Sequence, residues 1–281
     1  MSTPATGDLA LSAAAAPVGW PRWRLRRFGR PVLLLNLIGI LALYGLWAAA
    51  TETGLVSPIF LPSPSMVAAE ARGIAGTADL WASVAASSAR VFVGFGLAAL
   101  VAVPLGILMG AWWPAKALID PLISLLRPLP SITWIPLTML WLGIGEGQKI
   151  AIVFMGSWIY ILLYTVESTK RVDPLLVKAA RNLGAGHLAV MREVVLPGSL
   201  PGILAGLKVS LAIAWSCVLS AEMVAAQSGL GALIWSAKDW GNTSLVLVGM
   251  VCISVTVLIA DLLANRLEAW LLPWERHRRG P

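Results

Sequence analysis

The sequence predicts an all-helical integral membrane protein with six membrane-spanning helices. Of its 281 residues, 58% are hydrophobic and only 12% are charged, whereas a soluble domain carries about 25% charged residues. So few charges cannot cover a water-exposed surface of this size. The apolar residues also fall in runs close to the roughly 20 residues that a helix needs to cross the hydrocarbon of a bilayer. Most of the chain is therefore expected to lie in lipid.

Six apolar runs mark the expected spanning helices. They are residues 31–50, 91–115, 128–145, 150–166, 201–225 and 240–260. The fifth run contains Lys208 near one end and Glu222 near the other, about 20 Å apart along a helix. Each of these side chains is expected to reach an opposite interface by snorkelling.

The loop after the first run contains LPSPS at residues 61–65. Its two prolines forbid a continuous helix, and Ser65 is expected to cap a short helix over about 66–75. This helix is expected on the outer membrane surface, although the segment is equally compatible with a simple spacer.

The third run is the weakest of the six. It begins RPLPSITWIP, where Pro128, Pro130 and Pro136 each lack the backbone donor that a continuous helix needs. In lipid, the freed carbonyl groups must be satisfied by protein or by water. The segment therefore either lines a cavity or forms a packing kink against a partner helix, and the sequence leaves both interpretations open.

Lysine and arginine concentrate in the N-terminal segment, in the loop after the fourth run and in the C-terminal tail. Because cytoplasmic loops carry an excess of these residues, both termini and the 168–200 loop are expected in the cytoplasm. The same bias explains the net charge of +7, which therefore does not indicate a nucleic-acid partner. The expected organisation is a basic, disordered segment over 1–30, a six-helix membrane domain over 31–265 and a cytoplasmic tail over 266–281.

The 168–200 loop is predicted to contain two short helices. Asp173 and Pro174 are typical of an N-cap and a first helical position. Apolar residues then recur at helical spacing until Gly184 and Gly186 end the helix. A second helix is expected over about 187–194, stopping at LPGSLP. Since the apolar face of this loop has no lipid to enter, it suggests a protein partner on the cytoplasmic side.

The sequence contains no motif for catalysis or nucleotide binding. GxxxxGK[ST], GxSxG, HExxH and CxxC are all absent. Cys217 and Cys252 lie inside apolar runs, and His187 and His277 stand alone, so neither a metal site nor a catalytic residue is expected. Energy from ATP would have to come from a separate subunit.

The loop also resembles a known signature. Lys178-Ala179-Ala180, then Gly184, then Val195-Leu196-Pro197 is similar to the EAA motif of binding-protein-dependent ABC permeases, with Lys178 in place of the usual Glu. Four further stretches resemble the nitrate, sulfonate and taurine branch of that family. They are LPSPS (61–65), SSARVFVGFGLAALVAVPLGILMG (87–110), RPLPSITWIPLTMLWLGIGEGQKI (127–150) and AWSCVLSAEMVAAQSGLGALI (214–234).

This resemblance implies the MetI-like fold of a type I ABC importer permease in the bacterial inner membrane. It further implies a homodimer of permeases, two ATPase subunits that hold ATP and Mg²⁺, and a periplasmic binding protein. The ATPases would dock on the loop; replacement of Glu by Lys178 removes any contact made by the acidic side chain. The expected coupling residues are Asp173, Lys178, Ala179, Ala180, Leu183, Gly184, Ala185, Gly186, Leu196 and Pro197.

Substrates of this branch are small anions, which need donors or positive potential in a low-dielectric path. With no Lys or Arg in the middle of a run, the path is expected to bind weakly through backbone N–H groups, indole N–H groups and hydroxyls. Glu222 would gate the outer mouth or touch the binding protein, or else it would pair with a neighbouring donor or face water. The alternative for each hydroxyl is a hydrogen bond to its own helix backbone. The candidates are Pro130, Ser131, Thr133, Trp134, Trp215, Ser216, Ser220 and Glu222.

Within this family, taurine or another alkanesulfonate is the first substrate choice, followed by nitrate or bicarbonate and then an aromatic or heterocyclic nutrient. Two other classes remain as alternatives. An integral-membrane enzyme would need clustered polar residues near one interface. A secondary transporter usually carries ionisable residues inside its spans.

Overall fold

The computed structural model describes residues 30–225 and 227–273, and within these ranges every regular element is helical. In chain order the helices are α1 (Arg30–Glu52), α2 (Pro64–Ala75), α3 (Ala78–Ala111), α4 (Trp113–Leu126), α5 (Ile135–Leu142), α6 (Glu146–Lys170), α7 (Pro174–Asn182), α8 (His187–Val190), α9 (Leu196–Ala225), α10 (Leu230–Asp239) and α11 (Thr243–Leu271). A 3-10 turn (Ser131–Trp134) precedes α5, and a π turn (Met191–Val195) joins α8 to α9. The prediction of an all-helical membrane protein is confirmed.

Five of the described helical stretches are long and apolar enough to cross a membrane. They are α1, α3, α6, the continuous stretch from α8 through α9, and α11. Their bounds differ from the predicted runs mainly because helices extend past the hydrocarbon: α3 begins at Ala78 rather than near residue 91, and α11 continues to Leu271. A 34-residue helix such as α3 is about 51 Å long, well beyond the roughly 30 Å of hydrocarbon.

The chain divides into two compact units, residues 1–49 and 50–281. The first unit contains most of α1, whose 23 residues give a length of about 34 Å. Residues 1–29, which the sequence predicts to be disordered, lie outside the described ranges.

A short helix follows α1 in the second unit, as the sequence predicts, but its cap differs. Ser63 rather than Ser65 is the N-cap of α2, because Pro64 already occupies the first turn, where its missing N–H costs nothing. The Ser63 Oγ accepts from the Met66 N–H at 3.4 Å, and the hydroxyls of Ser63 and Ser65 lie 2.8 Å apart. Asn242, the N-cap of α11, donates through Nδ2 to the Glu70 carboxylate at 3.1 Å, which ties α2 to the start of α11.

Helices α3, α6 and α9 form the centre of the second unit. Glycines on each helix meet side chains of its neighbour so closely that a Cβ would clash, and small residues allow such close helix packing in membranes. The order of the contacts shows that α3 and α6 run parallel, whereas α9 runs antiparallel to α6. The pairs are Gly94–Val153, Gly106–Thr165 and Gly110–Thr169 between α3 and α6, and Gly156–Cys217, Gly202–Ser168 and Gly206–Tyr164 between α6 and α9.

The prediction of a single spanning helix over 128–145 is wrong. Because α3 and α6 are parallel, the connection over 112–145 must return across the full depth of their packing, about 24 Å between the levels of Gly94 and Gly110. It does so in two pieces, α4 and the 3-10 turn with α5. The eight residues of α5 measure only about 12 Å. We call residues 113–142 the broken crossing.

The prolines explain where this crossing breaks. Pro128 and Pro130 lie in the non-helical joint between α4 and the 3-10 turn, and Pro136 lies in the first turn of α5. A proline at a first turn loses no hydrogen bond, whereas one in a helix interior does. The crossing therefore breaks at Pro128 and Pro130, and α5 begins next to Pro136, although α4 continues through Pro121 in its own interior.

Candidate functional site

Residues 173–195 form a helical hairpin whose shape follows from three residues. The Asp173 carboxylate accepts from the Leu175 N–H at 2.8 Å and so caps α7. At the other end Gly184 adopts φ +87°, a left-handed conformation that favours glycine. Its N–H donates to the Arg181 carbonyl at 2.9 Å, and the next N–H, of Ala185, donates to the Ala180 carbonyl at 3.0 Å. These two bonds make a Schellman motif. Gly186 then caps α8.

The hairpin presents apolar side chains that nothing in the described chain covers. None of the residues of α7 is buried. Leu183 is 89% exposed and Leu188 is 81% exposed, and Leu175 and Leu176 are also more than half exposed. Lys178 and Ala179 lie exposed on α7 as well. Four leucines on one small hairpin form the kind of patch that marks an interaction site.

The second arm of the hairpin does not stop at residue 194, contrary to the sequence prediction. It passes through the π turn into α9, so that Leu196 and Pro197 lie inside one continuous helix. The π turn bonds the Leu196 N–H to the Met191 carbonyl, five residues back. Pro197 has no N–H to offer the helix, and a local π turn is a usual way of absorbing such a break. The hairpin is therefore joined directly to α9.

The opposite end of the α3–α6–α9 centre holds a buried ion network around Arg90, which is only 3% exposed. The guanidinium donates to both oxygens of Glu146, from Nε at 2.6 Å and from Nη2 at 2.8 Å. Nη1 donates to Glu222 at 2.6 Å and to the Ser228 carbonyl at 2.7 Å, and Nη2 donates to the Ser228 hydroxyl at 3.0 Å. An arginine has five N–H donors, so all of them are used.

The Glu222 carboxylate is fully buried and enclosed by the turn that follows α9. It accepts from the Ser87 hydroxyl at 2.7 and 2.9 Å and from the Gly231 N–H at 2.9 Å. Ser87 in turn accepts from the Leu230 N–H at 2.9 Å. Gly229 has φ +120°, and a Cβ there would lie 2.5 Å from the carboxylate carbon. Only glycine lets the backbone wrap the charge this closely.

One sequence expectation about charges needs correction. Glu222 does not snorkel to an interface, because the Arg90 guanidinium and nearby donors satisfy it in the interior. Lys208 binds Glu268 and Asn265 of α11, with its Nζ 3.0 Å from the Asn265 Oδ1, and its reach to an interface stays a prediction. The geometry agrees with the alternative in which Glu222 pairs with a neighbouring donor. Sequence reasoning missed Arg90 as the partner of Glu222, and Glu146 as the second partner of Arg90. An arginine within the long apolar helix α3 is the signal that could have found the pair.

The predicted path residues do not form one cluster. Ser131 reaches α9, with its Oγ 3.1 Å from the Cys217 Sγ. Trp215, two residues earlier on α9, points to the other side and packs with Val91 and Val153. Glu222 belongs to the ion network. The structure thus brings Ser131 to α9, and Trp134 packs against the cluster of Ile135, Ile152, Cys217 and Ala221, to which α9 contributes the last two.

Three of the candidate hydroxyls bond to their own helix or turn. Thr133 Oγ1 donates to the Pro130 carbonyl at 2.7 Å, Ser216 to Ala212 at 3.4 Å and Ser220 to Ser216 at 3.1 Å. This is the alternative that the sequence left open for them. Pro130, Thr133 and Ser216 are exposed, whereas Ser131, Trp134 and Ser220 are half-buried. Within 30–225 and 227–273, no group of three or more His, Cys, Asp or Glu side chains is placed to hold a metal ion.

Comparison with known proteins adds three findings. The family model described as binding-protein-dependent transport system inner membrane component matches residues 102–276. The taurine transport system permease protein TauC of Escherichia coli K12 is 34% identical over 258 residues, covering 90% of this chain and 92% of that protein. The aliphatic sulfonates transport permease protein SsuC of the same organism, a putative assignment, is 32% identical over 237 residues, covering 84% and 89%.

A solved structure of the inward-facing MetNI methionine ABC transporter has a similar fold. Its matching chain superposes with a TM-score of 0.59 at 21% identity, covering 67% of this chain and 94% of that one. At this level of identity the likeness concerns the fold.

Proposed function

The chain belongs to the family of binding-protein-dependent transport system inner membrane components, and from this premise we propose that it is the permease of an ATP-driven importer for a small anion. Taurine or another alkanesulfonate is the first candidate substrate. Members of this family are permease subunits of ABC transporters, so the chain is a membrane-spanning transporter component rather than an enzyme. We further propose the identity of the transported anion, the coupling to a separate ATPase and the assembly as a permease homodimer.

The exposed hairpin over 173–195 is the observation that carries the proposal. Two ATPase subunits, holding ATP and Mg²⁺, would each cover one hairpin of a permease homodimer. Burying the four exposed leucines would then supply apolar contact area, at about 25 cal/mol per Å² removed from water. Asp173 and Gly184 would fix the hairpin's shape, while Lys178, Ala179 and Ala180 would lie on its exposed surface.

The continuity of the hairpin with α9 supports a mechanical link. A displacement of α8 would be transmitted along one continuous helix, through Leu196 and Pro197, to the side chains of Ser216 and Ser220. These lie on a surface of α9 that no described residue fully covers, and a second permease copy facing it would enclose a path. Weak donors on this surface suit an anion that must be released on the other side.

Orientation follows from the same arrangement. The hairpin and the Lys- and Arg-rich segments would lie in the cytoplasm, together with both termini. The ion network would lie at the periplasmic end, beside the short helices α2 and α10 on which a binding protein could rest. A disordered N-terminal segment and a cytoplasmic C-terminal tail remain expectations for residues outside the described ranges.

The choice of substrate rests on the relatives, which carry taurine and aliphatic sulfonate names, and on the fact that Arg90 has no free donor for an anion. Nitrate and bicarbonate remain the alternatives within the family. The rival classes find less support. The buried charges lie together at one end of the helix bundle and neutralise each other, unlike the ion-coupling residues of a secondary transporter.

The test is reconstitution of the chain with its companion ATPase and binding protein. ATP hydrolysis is measured with the binding protein loaded with taurine, methanesulfonate, nitrate or bicarbonate. We expect the sulfonates to stimulate hydrolysis and uptake most strongly. Stimulation by nitrate or bicarbonate alone would reassign the substrate. Uptake that survives ATP depletion and stops when the ion gradient is removed would overturn the proposal.

A further inference from the structure

Gln148, in the first turn of α6, has a fully buried side chain whose amide oxygen and nitrogen both lack a hydrogen-bond partner among the described residues. Two other buried polar side chains of α6 are satisfied by their own helix, whereas the Thr169 hydroxyl at the far end of α6 also lacks a partner among the described residues. Ser157 donates to the Val153 carbonyl at 2.7 Å, and Thr165 donates to the Ile161 carbonyl at 2.7 Å. Since nearly all buried polar groups in folded proteins are bonded, the unpartnered amide marks a place that meets a partner in another state of the molecule.

The position of Gln148 follows from helix periodicity. It lies four residues before Ile152 and hence on the same face of α6. Ile152 packs with Ile135 at the start of α5 and with Cys217 and Ala221 of α9. We call this cluster the α5–α6–α9 seam. Gln148 stands one helical turn beyond Ile152, at the end of the seam that lies nearest the ion network.

Two predicted path elements meet at the same seam. The Ser131 hydroxyl of the broken crossing contacts the Cys217 thiol, and Ser216 and Ser220 lie on the adjoining surface of α9. The joint at Pro128 and Pro130 leaves the 3-10 turn and α5 as a short piece between α4 and α6. Displacement of this piece from α9 would open the seam and bring the Gln148 amide to the path.

The chemistry of the amide suits an anion that must not be held tightly. Its NH₂ group offers two donors without a charge. The positive groups nearby are already engaged: Arg90 by five hydrogen bonds, and Lys149 by Glu146 at 2.9 Å. An oxyanion that reached the seam would therefore find the amide as a free buried donor, since the other unpartnered side chain of the described part of α6, Thr169, lies at the opposite end of that helix.

We propose that Gln148 is a substrate-binding residue of the anion path, donating from its amide nitrogen to an oxygen of the substrate when α5 separates from α9. The inference rests on the importer function proposed above. It assigns a substrate contact to a residue outside the ion network and outside the eight path candidates that the sequence suggested.

The test compares Gln148→Met with wild type in two measurements. Methionine has a similar length but no donor. Because the amide is unpartnered in the structure, Gln148→Met is expected to unfold at the same or higher denaturant concentration than wild type. Uptake of radiolabelled taurine by proteoliposomes with the companion ATPase and binding protein is expected to fall about tenfold or more at subsaturating taurine, as the loss of one hydrogen bond to a charged group predicts.

Ser157→Ala is the matched control, since it removes a buried hydroxyl of the same helix that bonds only to its own backbone. It is expected to leave taurine uptake within twofold of wild type. Wild-type uptake in Gln148→Met would overturn the inference and leave the importer function standing. A joint loss of stability and uptake in Gln148→Met would also overturn it, by showing a structural role. If the wild-type protein took up none of taurine, methanesulfonate, nitrate and bicarbonate, the proposed function itself would fail.

Discussion

Removing the Glu222 carboxylate is predicted to be among the most damaging single changes in the second unit. In Glu222→Ala, three donors lose the carboxylate as their acceptor: the Arg90 Nη1, the Gly231 N–H and the buried Ser87 hydroxyl. The Arg90 Nη1 keeps its bond to the Ser228 carbonyl. Breaking a buried ion pair from one side costs about 3–5 kcal/mol, because an uncompensated charge remains in the interior. Arg90 keeps Glu146, which is 60% exposed, so the lower half of this range is the better expectation.

The measurement is the free energy of unfolding in lipid bicelles. The matched control is Glu167→Ala on α6, whose partner Arg171 is 77% exposed; an exposed pair contributes less than about 1 kcal/mol. The double variant Arg90→Leu with Glu222→Leu is expected to recover part of the loss, since both charges leave together. A Glu222→Ala variant no less stable than Glu167→Ala would refute the view that the network holds α3, α6 and α9 together.

Two further variants test the packing and the hairpin. Gly94→Ala is expected to destabilise the protein by about 1–3 kcal/mol through overpacking, because its Cβ would lie 2.7 Å from that of Val153. Gly96→Ala on the same helix has open space and should change the free energy of unfolding by less than about 0.5 kcal/mol. Equal effects of the two variants in the same unfolding assay would contradict the close contact of α3 and α6. Gly184→Ala has space for its methyl group but must adopt φ +87°, which costs about 1–2 kcal/mol. It should reduce ATPase stimulation by loaded binding protein and lower the free energy of unfolding by no more than this cost; full stimulation would show that the hairpin's turn is unimportant.

The broken crossing offers a place for motion that the tightly packed centre does not. Glycine contacts along α3, α6 and α9, together with the ion network at one end, tie these three helices into one body. The joint at Pro128 and Pro130 has no comparable bonds. If the protein changes conformation during transport, the α3–α6–α9 centre would therefore stay intact and α5 would change position.

Much of the architecture was predictable because it depends on local chemistry. The apolar runs predict helices without reference to any neighbour, and the cap at Asp173 and the turn at Gly184 follow from preferences of single residues. These features needed no knowledge of what packs against them. The same holds for α2, although its N-cap, Ser63 rather than the predicted Ser65, depended on the position that Pro64 took.

The rest depended on contacts between distant parts of the chain. Nothing local says that Arg90 finds Glu222, which lies 132 residues further along. The prolines over 128–136 indicate an interruption, but only the glycine contacts show that α3 and α6 are parallel and that the interrupted segment is the return path between them. Gln148 was likewise invisible in the sequence, since an unpartnered amide can be recognised only when its surroundings are known.

The most direct test of the importer account is photo-cross-linking from the hairpin in native membranes. A photoreactive side chain at Leu183, which is 89% exposed, is compared with one at Leu100 on α3, which is 71% exposed on a spanning helix. The account predicts an adduct between position 183 and a nucleotide-hydrolysing companion, and only lipid or permease adducts from position 100. Adducts from position 183 confined to lipid or to the chain's own helices would contradict it.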